Sequence, residues 1–297
     1  MANPDVTYEQ PTTQAPALHD VARRPRAADR EPGRYARRRR IIELSLGIGF
    51  PIVVLVLWQA ASVNGWIDRF DYPAPTDIIR EMRDTFKDNP KGNWWTDIRI
   101  SIERMLWGYG WGVVIGVIFG IVMGMSRIVR ATLEPTLNGL YTVPKLALIG
   151  VFLIIFGFDN KPLVVVIGVT VFFFVWIQTQ AAMQSVPESY REAARSFGTN
   201  KFQMLRHVML PAALPQIFVG LRVAAGVAVL TLIGAEFVFT PDSKGIGYRI
   251  NNARQILDPK QAYVGLVVAA IVGVVFTTLI KLIGRVVTPW SRDESIG

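Results

Sequence analysis

The chain has no cysteine and only two histidines, His19 and His207, among its 297 residues. Without cysteine there is no disulfide, no thiolate nucleophile and no thiolate metal site. Two histidines so far apart, one of them in a polar N-terminal segment, do not make a histidine metal centre. A membrane-bound enzyme would want His, Asp and Glu clustered at the interface, and the acids here are scattered. No Gly-Lys-Ser/Thr occurs, so the turn Gly245-Ile246-Gly247 is not a phosphate loop and no ATP site is expected in this chain. Charge is scarce as well: 19% of residues are charged, against 51% hydrophobic.

Long apolar runs fill the space that charge leaves. A helix crosses a bilayer with about 20 residues, and six runs reach that length: about 42–63, 101–125, 133–156, 163–183, 215–239 and 263–287. The fold class is therefore an all-α polytopic membrane protein with six transmembrane helices. The net charge of +9 does not signal nucleic acid, because arginines beside membrane spans set orientation. Residues 1–40 are rich in Pro, Ala, Asp and Arg without apolar period, and predict a disordered cytoplasmic tail. The tail ends in Arg37-Arg38-Arg39-Arg40, which reads either as a lipid- or partner-binding patch or as an orientation signal. The apolar run after it is too long and too far in for a cleavable signal peptide. Residues 41–290 form the membrane domain and 291–297 a second cytoplasmic tail. The acids from Asp68 to Asp97 suit the outer side, where a loop and a short surface helix follow Tyr72-Pro73-Ala74-Pro75. Arg127, Arg130, Arg191, Arg195, Lys201 and Arg206 suit the inner side. Six spans then leave both termini inside.

Within the second span Gly108, Gly112, Gly116, Gly120 and Gly124 recur every four residues, a face on which helix backbones approach closely. Lys145 follows Pro144 in the third span. A lysine there needs a cavity, an anion or the interface. It stands either near the path of an anionic solute or as a snorkelling or ion-paired structural residue. Phe172, Phe173, Phe174 and Trp176 in the fourth span are packing or lipid-facing residues. Glu236 closes the fifth span, where it lines a gate, pairs with Lys145 or makes a helix-end ion pair.

One segment, 185–211, is too polar for its place between spans four and five. Ser185 with Glu188 predicts a capping box, and Tyr190, Ala193, Ala194 and Phe197 share a helical face. Gly198 reads as a helix C-cap. Asn200 with Gln203 is a second capping signal, Phe202, Leu205 and Met209 form a second stripe, and Pro211 stops the helix.

Glu192-Ala193-Ala194, then Gly198, then Val208-x-Leu210-Pro211 resembles the "EAA" signature of ABC importer permeases. Val208 in place of Ile departs mildly, and Gly150 stands where the family segment usually has a further proline. Ser101-x-x-Arg104, the Pro-x-Pro segment and Glu236 with Gly245-Ile246-Gly247 resemble the sulfonate, taurine and nitrate branch. The resemblance covers about residues 73–290. It implies the type I importer fold in a bacterial plasma membrane, with 185–211 docking on an ATPase. Tyr190, Glu192, Ala193, Ala194, Phe197, Gly198, Leu210 and Pro211 would carry that coupling, with Glu192 bracing the helix by hydrogen bonding. It further implies two ATPase subunits that bind ATP and Mg, a second permease copy forming a homodimer, and an extracytoplasmic substrate-binding protein. The implied solute is a small anion such as a sulfonate, taurine, nitrate or bicarbonate, although the branch also includes pyrimidine vitamin precursors. The alternative is an ATP-independent secondary transporter, whose paired intramembrane carboxylates and inverted repeats are not evident.

Overall fold

A computed structural model of the chain describes residues 32–88 and 93–291, and every regular element among them is helical. The helices are α1 (Pro32–Val63), α2 (Pro75–Asp88), α3 (Trp94–Met125), α4 (Arg127–Tyr141), α5 (Ile149–Phe156), α6 (Lys161–Gln184), α7 (Glu188–Ser196), α8 (Leu210–Val238), α9 (Ile246–Gln255) and α10 (Pro259–Val287). Helix α1 begins inside the segment expected to be a disordered tail. Residues 1–31, the side chains of Arg37 to Arg40 and the final residues 292–297 lie outside the described residues. The chain divides into two units between Trp58 and Gln59, within α1. The second unit contains every site discussed below.

Among the described residues five helices are long and apolar enough to cross a membrane, and α4 with Lys145–Phe156 supplies a sixth crossing if taken together. That sixth crossing departs from the unbroken span expected over 133–156. Its two halves meet at 84°. Pro144 explains the break, since it disfavours helical backbone at Val143 and cannot donate a backbone hydrogen bond. The helix resumes as a 3-10 turn over Lys145–Leu148 before α5. The second crossing starts at Trp94 rather than 101, capped by Asn93, whose side chain accepts the Thr96 amide.

The glycine face of α3 meets α6 along its whole length. A Cβ at Gly108, Gly112, Gly116, Gly120 or Gly124 would fall 2.4–2.9 Å from Ile167, Val171, Val175, Thr179 or Met183 in turn. Both series step by four residues in the same direction, so α3 and α6 are parallel and in register. In lipid, helices gain nothing from hiding apolar surface from each other, and close backbone approach supplies the packing energy instead. Helix α8 crosses α6, where Gly220 sits against Gln178, and runs antiparallel to α10 through Gly226 with Thr277 and Phe218 with Gly284. The aromatic run of α6 is packing. Phe173 and Trp176 are buried, and the Trp176 indole N–H is shared between Met123 S and Gln180 Oε1, 3.0 Å each.

Helix α2 lies across the start of α10, where Gln261 Nε2 donates to Glu81 Oε1 at 2.6 Å and Thr85 Oγ1 at 2.7 Å. Arg69 holds Asp77 by two hydrogen bonds, 2.9 and 3.0 Å, and its guanidinium keeps the Asp77 carboxyl below the ordinary carboxylate range.

Candidate functional site

The segment after α6 is built by its punctuation. Pro187 biases Val186 away from helix, which ends α6 and starts α7 afresh. Ser185 does not cap α7, contrary to the expected capping box. It closes α6, donating to Ala182 O at 2.9 Å and to Gln216 Oε1 at 2.8 Å. Glu188 instead faces Arg191 and Arg195, 3.3 Å from each.

The end of α7 matches its glycine. Gly198 has φ +72°, its amide bonds Arg195 O at 2.9 Å, and the Thr199 amide reaches Ala194 O at 3.3 Å. That is the Schellman arrangement, which needs left-handed backbone at the glycine. Nothing lies within 4 Å of a Cβ built there, so the requirement is conformational rather than spatial. Asn200 and Gln203 form a reciprocal capping box at 2.8 and 2.9 Å. The helix that follows does not stop at Pro211. It passes through a π-helical stretch, Met204–Met209, into α8. The wider turn is how the helix continues past a residue with no N–H to give.

The expected apolar face of α7 divides. Ala194 alone is buried, packed with Met183, Val186, Met204, Met209 and Ala213. Tyr190 and Phe197 point outward, 55% and 87% exposed, and Phe202 joins them at 66%. Glu192 and Ala193 are exposed. Glu192 makes no hydrogen bond or ion pair among the described residues, so it does not brace the helix. Leu210 and Pro211 are half-buried. Tyr190, His207, Val208, Pro211, Ala212 and Trp290 line an open groove of about 360 Å³.

At the opposite end of α8 lies a buried polar cluster. Asp97, Ser101 and Arg104 occupy one face of α3 at i, i+4 and i+7, and all are at most 3% exposed. Arg104 Nη1 is 2.8 Å from Glu236 Oε1 and donates to Lys244 O at 3.0 Å; its Nε donates to Asn160 Oδ1 at 2.8 Å. The Ser101 hydroxyl donates to both Glu236 oxygens at 2.8 Å and accepts the Ile246 amide at 2.9 Å. The Gly247 amide donates to Glu236 Oε2 at 3.0 Å. Asp97 accepts the Gly245 amide at 2.9 Å and holds Arg249 at 2.6–2.7 Å. Gly245 has φ +123°, and a Cβ at Gly247 would stand 2.5 Å from Ile233 O, so the Gly-x-Gly turn is required by this close approach.

Glu236 is therefore ion-paired at its helix end with Arg104, not with Lys145. The Lys145 ammonium bonds the Tyr141 carbonyl across the break. It also lies over the rings of Tyr141 and Phe173, at 4.3 and 5.1 Å. Sequence reasoning singled out Glu236 and the glycine turn but missed Arg104, Asp97 and Arg249 as partners. The i, i+4, i+7 spacing of three polar residues opening an apolar helix was the available signal. No group of three His, Asp or Glu able to hold a metal occurs among the described residues.

Comparison with known proteins places the chain. The family model described as "binding-protein-dependent transport system inner membrane component" matches residues 112–293. The putative aliphatic sulfonates transport permease protein SsuC of Escherichia coli is 34% identical over 241 residues, covering 81% of this chain and 90% of the relative. Its Bacillus subtilis counterpart is 32% identical over 247 residues, covering 83% and 88%. Among solved structures, a chain of the inward-facing MetNI methionine ABC transporter superposes with a TM-score of 0.59 at 20% identity, covering 65% of this chain and 95% of that one. The type I importer permease fold is thus shared, and the chain belongs to the family of inner-membrane components of binding-protein-dependent transport systems.

Proposed function

We propose that two copies of this chain form the membrane pathway of an importer for a small sulfonate-type anion in a bacterial inner membrane. Two ATPase subunits would drive it and an external binding protein would feed it. Family membership makes the chain the permease subunit of an ABC importer, with ATP hydrolysed by a separate subunit, and disfavours the ATP-independent alternative. The observation that carries the coupling role is the divided face of α7. One side is locked into the chain through Ala194, while Tyr190 and Phe197 are held out on a segment closed by the Schellman turn at Gly198 and the Asn200–Gln203 capping box. Exposed aromatics on a rigid element are the anchors a partner groove takes. Glu192, Ala193, Gly198, Leu210 and Pro211 complete the segment. ATP and Mg belong to the partner.

The same reading orients the chain. The basic residues Arg127, Arg130, Arg191, Arg195, Lys201 and Arg206 gather at the α7 end, which supports placing that end inside. With six crossings, both termini, and with them the tails 1–40 and 291–297, would lie on that side of a membrane domain spanning 41–290. The Glu236 cluster then lies at the outer end.

In this mechanism, closure of the ATPase dimer pushes α7. The Schellman turn at Gly198 and the π-helical stretch carry the push into α8, and α8 moves against α6. Both inward- and outward-open states must lie within a few kcal/mol for nucleotide and binding protein to bias them. The sulfonate assignment is supported by the two SsuC relatives, and Lys145 at the break is the cation nearest the bend.

The test is uptake of a radiolabelled alkanesulfonate by cells expressing the chain with its neighbouring transport genes. The reading predicts accumulation that stops when ATP is depleted and when the gene is deleted. Uptake that survives ATP depletion under an intact proton gradient would favour the secondary transporter. Uptake of another solute but no sulfonate would retain the importer and overturn the substrate.

A further inference from the structure

Between the end of α3, the first turn of α4, and α7 lies a polar cavity of about 340 Å³. Gly124, Met125, Arg127, Arg130, Gln184 and Arg191 line it. Three guanidinium groups thus border one cavity, and no acidic side chain lines it. Arg127 and Arg130 make no ion pair or side-chain hydrogen bond among the described residues. The acid one turn beyond Arg130, Glu134, accepts from Gln180 Nε2 at 3.2 Å instead. Arg191 donates Nη2 to Met183 O at 3.0 Å and has Nη1 3.3 Å from Glu188, while its Nε is buried without a partner. Glu188 is half exposed and is shared with Arg195. It is a weak counter-charge for three arginines, and like charges gathered at the low-dielectric margin of a membrane protein repel unless an anion joins them.

We infer that this cavity binds a phosphate group. Planar guanidinium groups offer paired N–H donors matched to a phosphate oxyanion. Basic pockets at the cytoplasmic ends of membrane helices suit anionic lipid headgroups. A lipid is the favoured source, because Ile128, next in sequence to the lining residue Arg127, is an exposed apolar side chain on the outside of a membrane helix end, where acyl chains lie. A soluble phosphate ester carries the same headgroup chemistry without that chain. The site does not depend on which solute is transported, and Arg127 and Arg130 are outside the coupling segment.

The experiment uses the purified full-length chain in mild detergent. Native mass spectrometry compares retention of phosphatidylglycerol with phosphatidylcholine, and thermal unfolding is followed with added inorganic phosphate. The test variant is Arg127→Gln/Arg130→Gln. Arg99→Gln is the charge-matched control, since Arg99 is exposed and, among the described residues, pairs only with Glu103, at 3.2 Å. The wild-type chain is expected to prefer phosphatidylglycerol. The double variant should lose about thirtyfold of that preference, the effect of removing two basic side chains near a lipid surface, with phosphatidylcholine binding and the control unchanged. Should the double variant fail to fold, Arg127→Gln alone, at an exposed position, should lose about fivefold. If wild type shows no lipid preference but phosphate raises its melting temperature and not the variant's, the same site takes a soluble phosphate. Equal phosphatidylglycerol retention in wild type and variant, with no phosphate-dependent shift in either, would overturn the proposal.

Discussion

The two ends of the helix bundle are finished differently. At the Glu236 end, both carboxylates are buried and ion-paired within the chain, although Arg104 Nη2 is buried without a partner among the described residues. Arg104 with Glu236 and Arg249 with Asp97 join α3 to α8 and α9 at 2.6–2.8 Å, and backbone amides of the glycine turn complete both carboxylates. At the α7 end, side chains of high contact value are left in the open. Phe197, Tyr190 and Phe202 are exposed and Glu192 is unpaired among the described residues. The first end is tied together by its own residues and the second leaves its aromatic side chains exposed, as the proposed docking role requires. A subunit that transmits force needs both, a rigid anchor on one side and an unfinished face on the other.

Breaking the closed end should have the largest effect on the fold. Arg104→Ala leaves Glu236 buried without its ion-pair partner, which costs about 3–5 kcal/mol. The expected outcome is loss of monodisperse protein in fluorescence-detected size exclusion. Changing both partners together, Arg104→Met with Glu236→Gln, should recover much of it. Next is the glycine framework. Gly112→Ala puts a Cβ 2.6 Å from Gly168 O, and Gly247→Ala one 2.5 Å from Ile233 O, both against backbone that cannot step aside. Each should cost about 1–3 kcal/mol, read as a lower melting temperature, whereas Gly110→Ala, which meets nothing within 4 Å, should cost little.

The open end should show the reverse pattern. Phe197→Ala should leave stability within about 0.5 kcal/mol and abolish coupled transport. Gly198→Asp forces left-handed backbone on a side-chain-bearing residue, at about 1 kcal/mol. It should leave the protein in the membrane with ATPase activity uncoupled from transport, and retained coupled transport at normal assembly would count against the docking role. The smallest effect is at α2. Asp77 titrates below its ordinary value of 3.8 because of Arg69, so that contact is complete above 3.8 and is lost as pH falls through the lower folded value. Protection of α2 from limited proteolysis should weaken only in that acid window, and Asp77→Asn should remove the pH dependence.

Much of this architecture was legible in the residues. The four-residue glycine period specified a close helix contact, and Gly198 and Asn200 with Gln203 specified their caps, because these signals are local in sequence. What was not legible depended on distant partners. The pairing of Glu236 with Arg104 joins residues 132 positions apart, and nothing local distinguishes it from a pair with Lys145. Pro211 read as a stop because a proline interrupts an α-helical ladder, and the π-helical stretch Met204–Met209 by which the helix continues past it has no local sequence signal. The four apolar residues of the 190–197 stretch read as one buried face, yet burial of Ala194 alone leaves the aromatics outward, since a nine-residue helix resting on the π-helical stretch Met204–Met209 covers only a narrow strip of its surface.

The most direct measurement is co-purification of the ATPase subunit with tagged chain from mild detergent, for wild type and for Tyr190→Ala/Phe197→Ala. Each preparation is also scored for melting temperature without the partner. The account predicts an unchanged melting temperature and loss of the ATPase from the variant. A variant that keeps the ATPase at wild-type stoichiometry, or one that loses it only because the chain itself melts earlier, would contradict the claim that this face is left open for a partner.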